Sequence, residues 1–422
     1  MNTIIAENEL RGLSPQEIRN CLTESIGGKR LKKVLLIPPD ITRLQSGAGM
    51  IAAMYYEMLE GVEVDILPAL GTHAPMTREQ QISFFGKSIP QERFLVHNWR
   101  SGVTKLGKIS GEFIKDVSGG LIDSPLDVEI SDYLLDPSYD LILSIGQVVP
   151  HEVVGMANYT KNIVVGCGGS NFINLSHMLG AVCGLEQIMG KDHSPVRKVF
   201  DYAQEHFISK LPIVYVLTVT VTQSEKTDIL GLYIGKDREG FNRAVKLSQK
   251  HNLNYLKKPV KTCVVYLDET EFHSTWLGNK AIYRTRMAMA DGGRLIILAP
   301  GVAAFGEDLE NDKIIRKYGY IGRDRILELS AKETDLQNNL SAAAHLVHGS
   351  TDGRFSVFYA PGKLSRQEVE AVSFNYIALS EALEKYDPKT LKHGYNTMPD
   401  GEEIFYVENP ALGLWALEGD IL

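Results

Sequence analysis

The chain has 422 residues, enough for two domains, and 44% of them are apolar, enough to bury a core in each. A formal net charge of −8 without any dense Lys/Arg run argues against nucleic acid as the main partner, and the four cysteines, scattered without C-x-x-C spacing, suit a reducing compartment. No apolar run approaches the roughly 18 residues of a membrane span and the N-terminus has no signal pattern, so a cytoplasmic protein with no membrane partner is expected.

Taken in order, strand and helix patterns alternate without repeats. Ser14-Pro15-Gln16-Glu17 is a capping box with Pro at the first helical position, and the helix it opens should stop at Gly27-Gly28. KKVLLIPPD reads as a buried strand ending at Asp40, followed by a loop holding Arg43 and an apolar helix, MIAAMYYEMLEG. VEVDILPALG is the next strand and delivers His73; Thr77 to Gln80 restarts a helix. LILSIGQVV is a third strand, ending in Pro150-His151. This strand-loop-helix recurrence predicts an α/β fold with mostly parallel sheets.

In such a sheet the C-terminal strand ends lie along one edge, so Asp40, Arg43, His73 and His151 are expected to converge there. Ten residues after His151, Lys161 opens a second apolar run, NIVVG. Gly166, Gly168 and Gly169 follow, and bare N–H groups of such a loop would suit an anion. Ser170, Asn171 or Asn174 would then cap a helix carrying His177.

A capped helix (SPVRKVFDYAQEHFISKL), strands IVYVLTVTV and ILGLYIG, and the helix EGFNRAVKLSQKHN lead to Lys257-Lys258-Pro259, which predicts domains of 1–256 and 257–422 with the active site in the crevice between them. The second domain should hold three core strands, KTCVVYLDE, RLIILAPG and RFSVFYAPG, alternating with helices at NKAIYRTRMAMADGG, LQNNLSAAAHLVHGS and SRQEVEAV through LEKYD. Its loop ETEFHSTWLGNK would present His273, Trp276, Leu277 and Lys280 to the substrate.

PPDITR, GTHAPMT and PHEVVG, followed by Lys161 and His177, together resemble the nickel-pincer lactate racemase family and its 2-hydroxy acid racemase and epimerase relatives. The spacing of Lys161 and His177 from His151 matches the family, and FHSTWLGNKA looks like its second-domain motif. The resemblance implies a nickel-pincer nucleotide, a dithio pyridinium mononucleotide carrying nickel, bound covalently to Lys161, cradled at Gly166, Gly168 and Gly169, and ligated through its metal by His177. It implies His73 and His151 as the two bases that serve opposite faces of a 2-hydroxy acid, with hydride transfer to the pincer. Arg43 and Lys280 would clamp the carboxylate, and Asp40 would orient His73 or bond the substrate. Cofactor maturation enzymes are implied as partners.

Two departures stand out. Ala157-Asn158-Tyr159 replaces a Ser-Gly-Gly ahead of the cofactor lysine, and Leu277 replaces a substrate-binding Gln three residues before Lys280. With that polar anchor lost, and with His273, Ser274 and Thr275 offering donors further out, a larger 2-hydroxy acid or a sugar acid is expected rather than lactate. Two rival readings are a zinc hydrolase built on His73, His151 and His177, and a non-catalytic nucleotide-binding protein using the glycine loop alone.

Overall fold

The computed structural model describes residues 3–223 and 226–419. They divide into two compact units, 1–176 with 190–252, and 177–189 with 253–422. The later division, at Leu253, lies close to the expected Lys257 boundary, whereas the earlier one falls inside the helix Ser170–Cys183 and assigns His177 to the second unit.

The first unit is built on a six-stranded sheet. Its strands are β1 (Ile4–Glu7), β2 (Lys33–Ile37), β3 (Glu63–Ile66), β6 (Leu141–Gln147), β9 (Ile213–Gln223) and β10 (Lys226–Gly235), in the order β1-β10-β9-β6-β2-β3. Between β3 and β6 the chain forms an antiparallel ribbon, β4 (Val103–Ile109) with β5 (Leu126–Ser131), and after β6 a small hairpin, β7 (Pro150–His151) with β8 (Gly155–Met156). β3, β2, β6 and β9 run parallel; β10 and β1 close the far edge antiparallel. β2 and β6 are apolar along their length because both faces are covered, as parallel strands require. Val34, Leu36, Leu143 and Val216 pack one face against Ile18 and Leu22 of helix Pro15–Ile26 and Ile51 and Tyr55 of helix Ala48–Met58. Both capping boxes form, Ser14 with Glu17 and Thr77 with Gln80.

The second unit carries another six-stranded sheet. β12 (Val260–Tyr266), β13 (Met289–Ala299), β14 (Phe355–Pro361) and the short β15 (Asn375–Tyr376) run parallel, β17 (Glu403–Val407) joins them on the far side of β12, and β16 (Gly394–Thr397) is antiparallel to β17. β11 (Leu253–Leu256) and β18 (Leu414–Leu417) form a separate parallel pair. The three expected strands are present.

Several expectations change. The stretch NKAIYRTRMAMADGG is helical only over Lys280–Thr285, because Met289 onward is taken into β13 by pairing. The run after Lys161 is a one-turn helix, Thr160–Val164. The ribbon β4/β5 and strands β16 and β17 were not anticipated.

Candidate active site

β3, β2 and β6 are adjacent and parallel, so the loops leaving their C-terminal ends are neighbours. A bridge between Pro39 and Ala69 carries the pairing of the first two strands past their formal ends. Asp40, buried, follows β2 and caps the turn Ile41–Ser46: its Oδ1 accepts from the Thr42 amide at 3.1 Å and the Thr42 hydroxyl at 2.5 Å. Its Oδ2 lies 2.6 Å from His73 Nδ1. Burial pushes the Asp40 carboxyl upward, but the bonds from His73 and Thr42 outweigh it and hold the group below the usual carboxylate range. A carboxylate only accepts, so Nδ1 of His73 carries the proton and Nε2 of the neutral ring keeps a lone pair. The His73 side chain is 57% exposed.

His151, at the end of β7, is buried, and its Nδ1 accepts the Val153 amide at 3.1 Å. Its neutral ring therefore carries its proton on Nε2, the opposite tautomer to His73.

The helix Thr160–Val164 is tied to the same sheet by Asn162, whose Nδ2 donates to the Ile37 carbonyl at 3.1 Å and to Ser144 Oγ at 3.0 Å. This places Lys161, part-buried, within electrostatic reach of Arg43 and Asp40. Burial first, and then Arg43, push its ammonium down to about 8, against opposing pulls from Glu152 and Asp40. Arg43 itself has a non-helical backbone inside its turn, with φ −118° and ψ 39°.

The approach to Lys161 is strained. Asn158 has φ 67°, and Tyr159 has φ 57° with ψ −133°, a region that costs a non-glycine residue on the order of 1–3 kcal/mol. These are two of the three positions where the resemblance expects Ser-Gly-Gly.

The glycine loop does not present bare amides. Gly166 N–H donates to the Lys161 carbonyl at 3.1 Å, Gly168 N–H to Val165 at 3.3 Å and Gly169 N–H to Glu129 at 3.2 Å. Cys167 and Gly168 lie alongside β5, the Ser131 amide donating to the Cys167 carbonyl and Gly168 bridging Ile130. Close approach explains these glycines instead. A Cβ at Gly168 would run into the Val164 carbonyl, one at Gly169 into Glu129, and one at Gly166 into Asn162 and Ala69. The amides of Gly166, Gly168 and Gly169 expected to face an anion are thus already paired within the protein. Nor is Asn171 spent as a cap; its Oδ1 accepts the Asp127 amide at 2.8 Å.

In the second unit His177 is part-buried on the helix Ser170–Cys183. Trp276 stacks on His345, with ring centroids 4.3 Å apart and planes at 18°. His345 is fixed between the hydroxyls of Tyr283 and Tyr320, each at 2.9 Å, and burial pushes it down to about 3, so it stays neutral. Leu277 and Lys280 are half-buried and His273 is exposed; Lys280 Nζ lies 5.7 Å from the centre of the Phe272 ring. Ser274 and Thr275 are not available as the sequence suggested. Both are buried: Ser274 Oγ caps the following turn and bonds Glu307, and Thr275 Oγ1 donates to the Phe305 carbonyl at 3.0 Å and meets Tyr320.

Among the described residues no group of three or more His, Cys, Asp or Glu side chains could hold a metal ion. A cofactor whose metal takes one histidine needs no such group.

Residues 14–188 match the lactate racemase N-terminal domain. This part of the chain is thus similar to the N-terminal domain of lactate racemases. The matched stretch contains Asp40, Arg43, His73, His151, Lys161 and His177 of this lactate racemase-like chain. No curated relative matches its sequence. A crystal structure of a Thermotoga maritima protein is similar with a TM-score of 0.81 at 23% identity, covering 98% of this chain and 100% of that one. The lactate racemase apoprotein from Thermoanaerobacterium thermosaccharolyticum is similar with a TM-score of 0.70 at 17% identity, covering 96% and 93%. Both likenesses are at the level of fold. No helix among the described residues is long and apolar enough to cross a membrane.

Sequence reasoning missed Ser144, Asn162, Arg197 and His345. Arg197 had a signal: it is a charge in the middle of the apolar face Val196, Val199, Phe200 and Ala203.

Proposed function

We propose that the chain inverts C2 of a 2-hydroxy acid, with a nickel-bearing pyridinium mononucleotide held by Lys161 and His177. The observation that carries this reading is the depressed Lys161 amine beside Arg43 and the Asp40–His73 pair. A lysine pushed down to about 8 is part neutral near physiological pH and can act as a nucleophile, as a covalent tether requires. His177 would ligate the nickel, a borderline metal that imidazole suits. When bound, the group supplies a hydride acceptor.

The chain's own residues handle the proton and the carboxylate. His73, oriented by Asp40, accepts the substrate hydroxyl proton at Nε2, and Asp40 stabilises the imidazolium that forms. His151 is the second acid–base group, and it must release the Val153 amide to take a proton at Nδ1. Arg43 is proposed as the carboxylate partner, its planar fork suiting a bidentate pair. Lys280, Trp276, Leu277 and His273 are the proposed substrate contacts of the second unit. With Ser274 and Thr275 occupied, this set favours a 2-hydroxy acid longer than lactate with an apolar tail over a polyhydroxylated sugar acid.

The test is production with and without cofactor maturation enzymes, followed by intact mass and chiral analysis of a 2-hydroxy acid substrate. A mass increment on the Lys161 peptide, with interconversion of the C2 isomers, is expected. Interconversion without an increment, or an increment on another lysine, overturns the reading.

A further inference from the structure

The segment from Val154 to Lys161 is bonded at several points to the helix Pro195–Ala203 and the π-helical turn Gln204–Ile208 that continues it. Ser194, its N-cap, donates to the Val154 carbonyl at 3.0 Å. Arg197 Nη2 donates to the carbonyls of Met156 at 2.5 Å and Asn158 at 3.4 Å. Gln204 Oε1 accepts from Thr160 Oγ1 at 3.1 Å and from Tyr215 at 2.5 Å. Arg197 and Gln204 are seven residues apart, so both project from one helix face.

Arg197 is the unusual member. It is fully buried, it lies over the Phe241 ring at 4.6 Å, and its Nε and Nη1 have no hydrogen-bond partner among the described residues. Burying a cation so incompletely satisfied is unfavourable unless the bonds it does make are needed. Those bonds fall on the carbonyls that flank Ala157 and precede Tyr159, where the backbone turns left-handed without a glycine. The Tyr159 ring is itself packed on Phe241, 5.1 Å away and stacked at 16°, and on Tyr215 at 4.4 Å. Strained backbone of this kind persists only where its surroundings over-determine it.

We infer that Arg197 is the positioning residue for Lys161: it holds Met156 and Asn158 so that Asn158 and Tyr159 keep the left-handed path that delivers the lysine to the sheet edge. In this chain a buried guanidinium does what flexible glycines would do without help. The inference rests on the reading of Lys161 as the cofactor tether for its functional meaning, but not for its test.

The experiment measures Lys161 acetylation in protein made without maturation enzymes, by peptide mass spectrometry between pH 6 and 10, with Lys226 as an exposed reference. The groups acting on Lys161 in this titration are Arg43, Glu152, Asp40 and Arg197. Arg197→Met should slow Lys161 acetylation near neutral pH by about tenfold or more, leaving Lys226 unchanged. Arg197→Lys, which keeps the charge and loses the planar fork, should behave the same way. In a Tyr159→Gly background, where positive φ carries no steric cost, adding Arg197→Met should change the rate by less than about threefold. Unchanged acetylation in Arg197→Met and Arg197→Lys, or equal loss in both backgrounds, overturns the inference. If Arg197→Met does not fold by circular dichroism, the Tyr159→Gly pair decides: a folded double variant labelled like Tyr159→Gly supports it, and an unfolded or slow one overturns it. Protein made with maturation enzymes that shows no increment on Lys161 would sink the tether reading while the acetylation result still judged Arg197.

Discussion

His73 Nδ1 meets Asp40 Oδ2 at 2.6 Å, joining two residues 33 apart in sequence at the ends of adjacent parallel strands. The bond fixes which ring nitrogen holds the proton. Asp40→Asn should leave the fold intact but let the ring take the wrong tautomer, lowering turnover by roughly 10²-fold or more in both directions. Nitrogen NMR of the His73 ring should show the Nδ1–H form in the wild type and its loss in the variant. Near-normal turnover in Asp40→Asn would remove Asp40 from the proton path.

The same pair gives a pH dependence of stability. Asp40 titrates below its unfolded value, so the unfolded chain binds more protons in the acid range and stability rises with pH there. Its contribution is fully present above the ordinary carboxylate range, about pH 4, and is lost as pH falls through the folded value. The Tm gap between wild type and Asp40→Asn should therefore shrink between pH 6 and pH 3. A gap that stays constant would show that Asp40 stabilises the fold by shape alone.

Lys161 shifts the opposite way. With the folded value pushed down to about 8, the unfolded chain binds more protons between that pH and the ordinary lysine range, so this group costs stability at neutral pH. Lys161→Met should raise stability by about 1–3 kcal/mol at pH 7, allowing for solvent at its part-open end, and abolish any cofactor increment. Urea unfolding at pH 7 and pH 10 checks this, since the gain should fall at the higher pH. A destabilised Lys161→Met would contradict the burial argument.

Gly168 separates packing from anion binding. Adding a Cβ drives it into the Val164 carbonyl, which rigid helix backbone cannot yield, so Gly168→Ala should destabilise by about 2 kcal/mol or more. Equilibrium unfolding in urea reads this directly; a variant of unchanged stability would restore the loop as a candidate ligand cradle.

Substrate choice is tested with loaded protein and a panel of lactate, 2-hydroxyisocaproate, malate and gluconate, following C2 stereochemistry. Half-buried Trp276 and Leu277 should give the apolar, longer acid the highest kcat/KM. Each methylene accommodated in an apolar pocket adds roughly tenfold or more in discrimination. Lactate or gluconate at the head of the panel would defeat this assignment.

The sequence by itself determined the strand-loop-helix order, both capping boxes, and Asp40, His73 and His151 as polar residues ending apolar strands. These are local signals: burial imposes unbroken apolar runs on parallel strands, and helix caps need particular side chains three residues apart. Only the tertiary structure decided that the three glycines are packing sites, since their amides pair with Lys161, Val165 and Glu129 and their missing side chains make room for Val164, Glu129 and Asn162. It also decided that Ser274 and Thr275 are occupied, that Asn158 and Tyr159 are left-handed, and that Arg197 is buried against them. The physical reason is common to all four. Whether an amide, hydroxyl or guanidinium is available depends on the partner that reaches it, and those partners come from elements tens of residues away that no local pattern encodes.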